Sequence, residues 1–354
     1  MQYPGVLSLW LFIGLMAFAN FLGAQSLESA YDNSIPADFD TLYIESYPDL
    51  ITTRLYLSQK ATSLALTDNS EVIELDYQPN TTLNFGVGAT VKSFTLNLAY
   101  GFGVLNPDVG RGKTRYLDLQ SHIYTRKWVF GVFGQFYKGM YLENSLSLNP
   151  IHPTPYYVRP DMYVQIFGFS GLYIFNNQKF SYRSALIQNE RQLKSSGSFL
   201  AGADAYYGLV HADSTLVPSF LGDSVFTEFR GYEEIGFWKA GPSIGYAYNV
   251  VIAKKFFIMA SMTVNYGIGY NTAYHPDHGT YKGFQGDVGL FGRFATGYND
   301  SNWYLGLSMV YNNITTSSDS RLFHADFGIS NVRLNFVKRF RPGPKLLPYF
   351  NKVP

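Results

Sequence analysis

The 354-residue chain contains no cysteine, which fits a protein that crosses an oxidising periplasm without forming stray disulfides and excludes a lipid-anchored lipoprotein. Charge is scarce too. Only 15% of residues are Asp, Glu, Lys or Arg, where a soluble domain carries about a quarter. The formal net charge of +1 leaves no global basic field, which argues against nucleic acid as a partner. Outside the N-terminus no apolar run approaches the roughly 18 residues of a membrane helix, and the mean hydropathy of −0.06 excludes a helical bundle in lipid. What is abundant is aromatic residues and glycine: 29 Tyr, 29 Phe and 33 Gly. A transmembrane β-barrel reconciles these numbers, because its strands interleave lipid-facing and lumen-facing residues and so hide their apolar surface from the average.

Residues 81–104, TTLNFGVGATVKSFTLNLAYGFGV, carry that pattern most plainly. Leu83, Phe85, Val87, Ala89 and Val91 alternate with Asn84, Gly86, Gly88, Thr90 and Lys92. After a turn near Ser93, Phe94, Leu96, Leu98, Tyr100, Phe102 and Val104 resume the apolar face. A period of two on either side of a short turn predicts a hairpin with one apolar and one polar face.

In chain order, residues 6–22 form an uncharged apolar run before the small residues Gly23 and Ala24, so 1–24 reads as a secretory signal peptide. Residues 25–50 are acidic and irregular, a periplasmic leader or partial plug. The barrel is expected over 51–340, and 341–354 forms a basic, proline-rich periplasmic tail. Strands are predicted at 52–66, 71–91 with a bend near Pro79, 94–105, 114–126, 128–139, 161–175, 180–190, 197–211, 235–252, 255–271, 284–299, 302–314 and 325–340. Even-numbered barrels with short periplasmic turns then imply 12 to 14 strands. A further strand at 223–230 favours 14, whereas merging 180–211 gives 12. Long external loops are expected at 106–113, 140–160, 272–283 and 315–324. Tyr116, Tyr124, Trp128, Tyr141, Tyr163, Tyr173, Tyr270, Tyr298 and Trp303 sit at strand ends as interfacial girdles do.

The chemistry-bearing residues form no motif. His275 and His278 flank Asp277 and are the only weak metal candidates, in a segment whose Pro276 and Gly279 mark a turn. Ser121 adjoins His122, but no set of nucleophile, base and carboxylate stands out, so neither catalytic residues nor a cofactor is assigned. Gly86-Val87-Gly88 and Gly267-Ile268-Gly269 alternate within strands and are not phosphate loops. On the inward parity lie Asp118, Arg183, Asp204, Asp287 and Arg293, which either line an aqueous path or pair into a network that closes it.

The segments 41–60, 75–103, 113–142 and 159–202 resemble a Bacteroidota family of outer-membrane proteins classed as a domain of unknown function, most specifically through Glu45-Ser46-Tyr47-Pro48-Asp49 and through Gln188-Asn189-Glu190-Arg191-Gln192 with Gly197-Ser198-Phe199. The resemblance implies a barrel in the outer membrane and brings no activity. The expected role is a passive pore or a structural barrel with outer-membrane lipid around it. An alternating strand ending in Phe340 resembles the signal read by the outer-membrane assembly machinery, although residues 341–354 follow it. Two alternatives are a docking component with a periplasmic or surface protein partner, and a membrane-embedded lipid or glycan hydrolase.

Overall fold

The computed structural model describes residues 38–67, 73–91, 94–107, 109–149, 154–222, 225–318 and 323–344. The expected signal peptide, the first part of the leader and the tail from 345 onward lie outside them.

Fifteen strands run in the order β1 (Ile44–Ser46), β2 (Ile51–Thr67), β3 (Glu74–Gln78), β4 (Leu83–Val91), β5 (Phe94–Tyr100), β6 (Arg115–Tyr124), β7 (Trp128–Leu142), β8 (Tyr157–Ile174), β9 (Glu190–Gln192), β10 (Ser196–His211), β11 (Glu234–Ile252), β12 (Phe256–His275), β13 (Gly279–Asn299), β14 (Trp303–Ser317) and β15 (His324–Phe340). Two short helices, α1 (Ser145–Leu148) and α2 (Tyr182–Leu186), interrupt them. Antiparallel ladders link β7, β8 and β10 to β15 in succession, and β15 pairs back onto β2 from Phe340 opposite Ile51 to His324 opposite Thr67. The bend at Pro79 divides one strand into β3 and β4, which both pair with β2. Tyr77 opposite Leu142 and Gln78 opposite Tyr141 join β3 to β7 and close the ring.

The expected all-β transmembrane antiparallel up-and-down barrel is therefore what the chain forms. Ten strands make the closed ring, counting β3 and β4 as one, and β5 and β6 are additional. The strand that would have made fourteen is absent, since 225–230 forms turns. The predicted strand at 180–190 is also replaced, by α2 and β9. Ser181 is extended, at φ −130° and ψ 116°, and its side chain accepts the backbone N–H of Ser184, which starts a helical turn. The expected loop at 272–283 is instead the tip of a long hairpin, with β12 and β13 in register to His275 opposite Gly279.

We call the end holding Ile51 and Phe340 the base and the opposite end the crown. Base turns are short. Thr125 N donates to Trp128 O at 2.9 Å, Lys255 N to Ile252 O at 3.2 Å and Asp300 N to Trp303 O at 2.9 Å. Ala253 and Lys254, at φ 49° and 61°, are both in the left-handed backbone region, the turn conformation whose twist matches the right-handed twist of the adjacent antiparallel strands.

Polarity is inverted relative to a soluble domain. Along β12, Phe256, Ile258, Met262, Val264, Tyr266 and Ile268 are exposed, while Ser261, Thr263, Asn265 and Asn271 are buried. β14 and β15 repeat this with Leu305, Leu307, Leu334 and Phe336 outside and Asn312 and Asn335 inside. Near the base, Trp128 meets Tyr173 with ring centroids 5.0 Å apart, Phe256 meets Tyr298 at 5.4 Å and Trp303 meets Phe336 at 5.3 Å, a band of aromatic pairs on the outer wall. Of the residues expected in that band, Tyr124 faces inward with its ring 5.9 Å from that of Tyr182, Tyr116 stacks 5.6 Å from the inward Tyr137, and Tyr141 is buried against Tyr156 and Arg111.

The apolar belt makes a direct prediction. Met262, 60% exposed on the outer face of β12, is expected to cost about 2–4 kcal/mol of folding stability in lipid bilayers when changed to Arg. Equilibrium refolding into vesicles measures this, and an unchanged midpoint would place that face in water.

Candidate functional site

The lumen is occupied from both ends. At the base, the link between β8 and β10 turns inward instead of crossing by a tight turn. Residues 176–180 make the turn, α2 follows, and β9 pairs with β1 so that Ile44 opposes Gln192 and Ser46 opposes Glu190. Phe180, Tyr182 and Ala185 are buried against Val129, Leu172, Leu200, Phe257, Met259 and Tyr304 of the wall.

Much of this plug's exposed backbone polarity is met by barrel side chains. Arg339 donates from Nε and Nη2 to Gln188 O at 2.8 and 2.6 Å, and from Nη2 to Asn299 Oδ1 at 2.9 Å. Arg54 Nη2 donates to Ile187 O at 3.0 Å, Tyr304 OH to Ala185 O at 3.0 Å, and Asn299 Nδ2 to both Ser184 O and Glu190 O at 3.1 Å. Gln188 holds a left-handed backbone at φ 62°, a conformation non-glycine residues adopt at some cost, and its carbonyl receives both Arg339 donors.

Glu190 anchors the plug electrostatically. It is fully buried, pairs with Arg126 Nη2 and, at 3.3 Å, with Arg183 Nη1, and accepts the Ser181 hydroxyl. Burial by itself raises its pKa, but Arg183, Arg126 and Ser181 outweigh that and hold the carboxyl below its ordinary 4.5.

The crown is closed by a different chemistry. Residues 212–222 and 225–233, between β10 and β11, fold inward and bury Leu216, Val217, Leu221, Phe226 and Phe229 against Leu64, Leu75, Tyr77, Phe237 and Phe327. Tyr77 OH donates to Leu216 O at 2.7 Å, and Arg159, bidentate on Asp161 at 2.9 and 2.8 Å, donates to Thr215 O at 2.8 Å. Between the closures, one cavity of about 20 Å³ lies among Gln120, His122, Phe133, Phe291 and Asn331.

The residues expected to face the lumen are distributed as follows. Asp118 accepts Tyr137 OH at 2.7 Å, Gln135 Nε2 at 2.9 Å and Lys60 Nζ at 3.3 Å. Asp204 is buried on Ser243, and Asp287 takes the Ser317 hydroxyl and its N–H. Arg293, 2% exposed, lies 3.9 Å over the Phe291 ring, and none of its three nitrogens has a hydrogen-bond partner among the described residues. Arg183 is corrected in position: it belongs to the plug helix and not to a wall strand. His275 uses Nδ1 to accept the N–H groups of Asp277 and His278 at 3.0 and 3.3 Å, so that nitrogen organises the hairpin tip. Ser121 and His122 occupy successive positions on β6 and so point to opposite faces.

Sequence parity puts Arg339 on the inner face of the last strand, as found, but missed Arg54, Arg126 and Glu190, which with Arg339 fix the plug. A readable signal was present at Ser181, a helix-capping residue before Tyr-Arg-Ser-Ala-Leu.

The fold and the filled lumen define a plugged antiparallel barrel with an apolar outer belt. Residues 38–340 match the family described as domain of unknown function DUF4421, and the chain belongs to that family. No curated protein matches it. Among solved structures it is similar to the outer membrane protease OmpT from Escherichia coli at 10% identity and TM-score 0.37, covering 84% of this chain and 98% of that one. It is also similar to the outer-membrane OmpT of Vibrio cholerae, at 11% identity, TM-score 0.28 and coverage of 84% and 100%. The Pseudomonas putida toluene transporter TodX follows at 10% identity, TM-score 0.22 and coverage of 84% and 91%. At such scores these likenesses carry no argument about activity.

The plug is expected to depend on pH through Glu190. Because the carboxyl is held below its ordinary value, its contribution is complete above about pH 4.5 and is lost as pH falls through the depressed folded-state pKa. Hydrogen exchange across 181–192 should therefore be slow at neutral pH and accelerate in acid. Glu190→Gln should bring fast exchange to pH 7, costing about 3–5 kcal/mol because Arg126 and Arg183 lose their buried counter-charge. Equal protection in both proteins at pH 7 would count against the anchor.

Proposed function

We propose that this protein is an outer-membrane barrel of a Gram-negative envelope, Bacteroidota included, whose closed lumen gives it a structural role and no standing aqueous path. The observation that carries the reading is the double closure, a plug at the base packed on an apolar cluster and anchored by Arg54, Arg339 and Glu190, and an apolar cap at the crown. A barrel wall with Ile258, Met262 and Leu334 outside and Asn265 and Asn335 inside suits lipid outside and a filled interior. Insertion through β15 by the outer-membrane assembly machinery fits a final strand that completes the ring with Phe340 opposite Ile51.

We take the protein to be non-enzymatic: its buried carboxylates are engaged by Tyr137, Lys60, Ser243 and the plug arginines, and the rim pairs His211–Glu234 and His324–Asp326 are partly exposed ion pairs within the ends of the strands. Single-channel recording in a planar bilayer tests this reading. The full-length protein should stay silent at moderate potentials. A stable unit current from the unmodified protein would overturn it in favour of an open pore.

A further inference from the structure

One part of the wall is not sealed by backbone pairing. β5 pairs with β4, and β6 pairs with β7, yet among the described residues no ladder joins β5 to β6. The seam narrows toward the crown. There Thr82 Oγ1 and Tyr116 OH lie 2.7 Å apart, Asn80 N donates to Thr114 Oγ1 at 2.8 Å, and β3 meets β7 beyond. Towards the base it widens, and Asn97, Leu98 and Ala99 of β5 are exposed on both faces. An unpaired strand edge facing hydrocarbon is unfavourable by several kcal/mol for each unmet polar group, so a membrane barrel keeps such an edge only where something polar covers it.

Behind the seam the lumen carries cations without counter-charges. Arg54 is buried on β2 and reaches Asn97 of β5 at 3.4 Å, so its guanidinium stands at the seam itself. Arg333 lies 4.6 Å over the Tyr56 ring, and Arg293 is buried beside Tyr124 and Tyr182 with no carboxylate against it among the described residues. None of these three forms an ion pair among the described residues. Arg293 stands 5.7 Å from the Tyr182 ring, which lies 5.9 Å from Tyr124 of β6, and the Tyr56 ring under Arg333 packs against Gly86 of β4, so these cations lie behind the strands that flank the seam. The neighbouring carboxylates are engaged: Asp118 binds Lys60, Gln135 and Tyr137, and Asp204 binds Ser243. A buried guanidinium with no counter-charge is costly, and a multivalent oxyanion relieves that cost by bidentate contacts.

We propose that the β5–β6 seam is a lateral binding site for the phosphate-bearing headgroup of an anionic amphiphile, read by Arg54, Arg293 and Arg333. The headgroup enters from the membrane between the strands and supplies the counter-charge that the three guanidinium groups lack. Its acyl chains stay outside along Leu96, Leu98 and Leu117, which are 52%, 62% and 41% exposed. The inference rests on the membrane placement proposed above, which refolding into vesicles tests separately. A barrel that folds into vesicles but binds no anion overturns this inference alone.

The test is native mass spectrometry of the detergent-purified full-length protein titrated with phosphatidylglycerol, phosphatidylcholine or inorganic phosphate. Retention of phosphatidylglycerol over phosphatidylcholine, weakened by about tenfold or more in R293Q/R333Q, supports the site with a lipid as its source. Phosphate binding alone, lost in the same variant, supports the same chemistry with a soluble source. Equal retention of both lipids, binding unchanged in the variant, or no binding of any probe overturns the proposal. Should the double variant lose its heat-modifiable folded form, Arg333→Gln serves instead. Arg333 makes no hydrogen bond or ion pair within the described fold, so its loss reads binding and not folding.

Discussion

In hydrocarbon no water is available to a backbone N–H or C=O, so the sheet must pair with itself, and the ladder between β2 and β15 is where that requirement is met. These two strands come from opposite ends of the barrel sequence, seventeen residues each, and are opposed along their full lengths. Once they pair, the other strands are committed to a cylinder, and each side chain falls inside or outside by its parity alone. The inverted polarity of β12, with isoleucine and methionine outside and asparagine and threonine inside, follows from that geometry and from the two solvents it separates.

Closing the ring creates a second obligation. A polar interior sealed from bulk water has donors and acceptors that need partners, and the chain supplies them from its own connections. At the base, arginines of β2 and β15 receive the carbonyls of a short irregular segment, and Glu190 balances the two cations beside it. At the crown, the cap is mostly apolar and only its edges are tied by Tyr77 and Arg159. The glycines of β4 belong to the same packing problem. They are not open space in the lumen wall: a Cβ at Gly86 would lie 2.2 Å from the Tyr56 ring, and one at Gly88 would meet Arg54 and Asn97. These positions are small because β2 lays its largest inward side chains across them.

The wall was legible in the sequence because a period of two is local, and each strand declares it independently. Predicted and observed ranges for 128–139, 197–211, 235–252 and 325–340 agree to within a few residues. The contents of the lumen were not legible in this way. Parity says which side chains point inward but not what fills the space they face, so Arg183 read as wall when it is plug. Residues 180–190 alternate by coincidence, with Phe180 and Tyr182 on one parity, and Ser181 as a helix cap was the competing local signal. Likewise 272–283 reads as a loop because of Pro276 and Gly279, whereas the two flanking strands extend beyond the expected membrane limit and turn only at their tip.

The most direct test of this account is whether the two ends of the barrel sequence meet in the assigned register. Leu57 and Leu334 are directly opposed on the outer face of the closing ladder, at a separation a disulfide can span. The chain has no cysteine of its own to interfere. In protein folded into lipid vesicles, the L57C/L334C pair should oxidise to a single reducible intramolecular cross-link, whereas L57C paired with L305C, one strand further round the ring, should not. Absence of the first cross-link, or equal yields from both pairs, would contradict a barrel closed by β2 and β15.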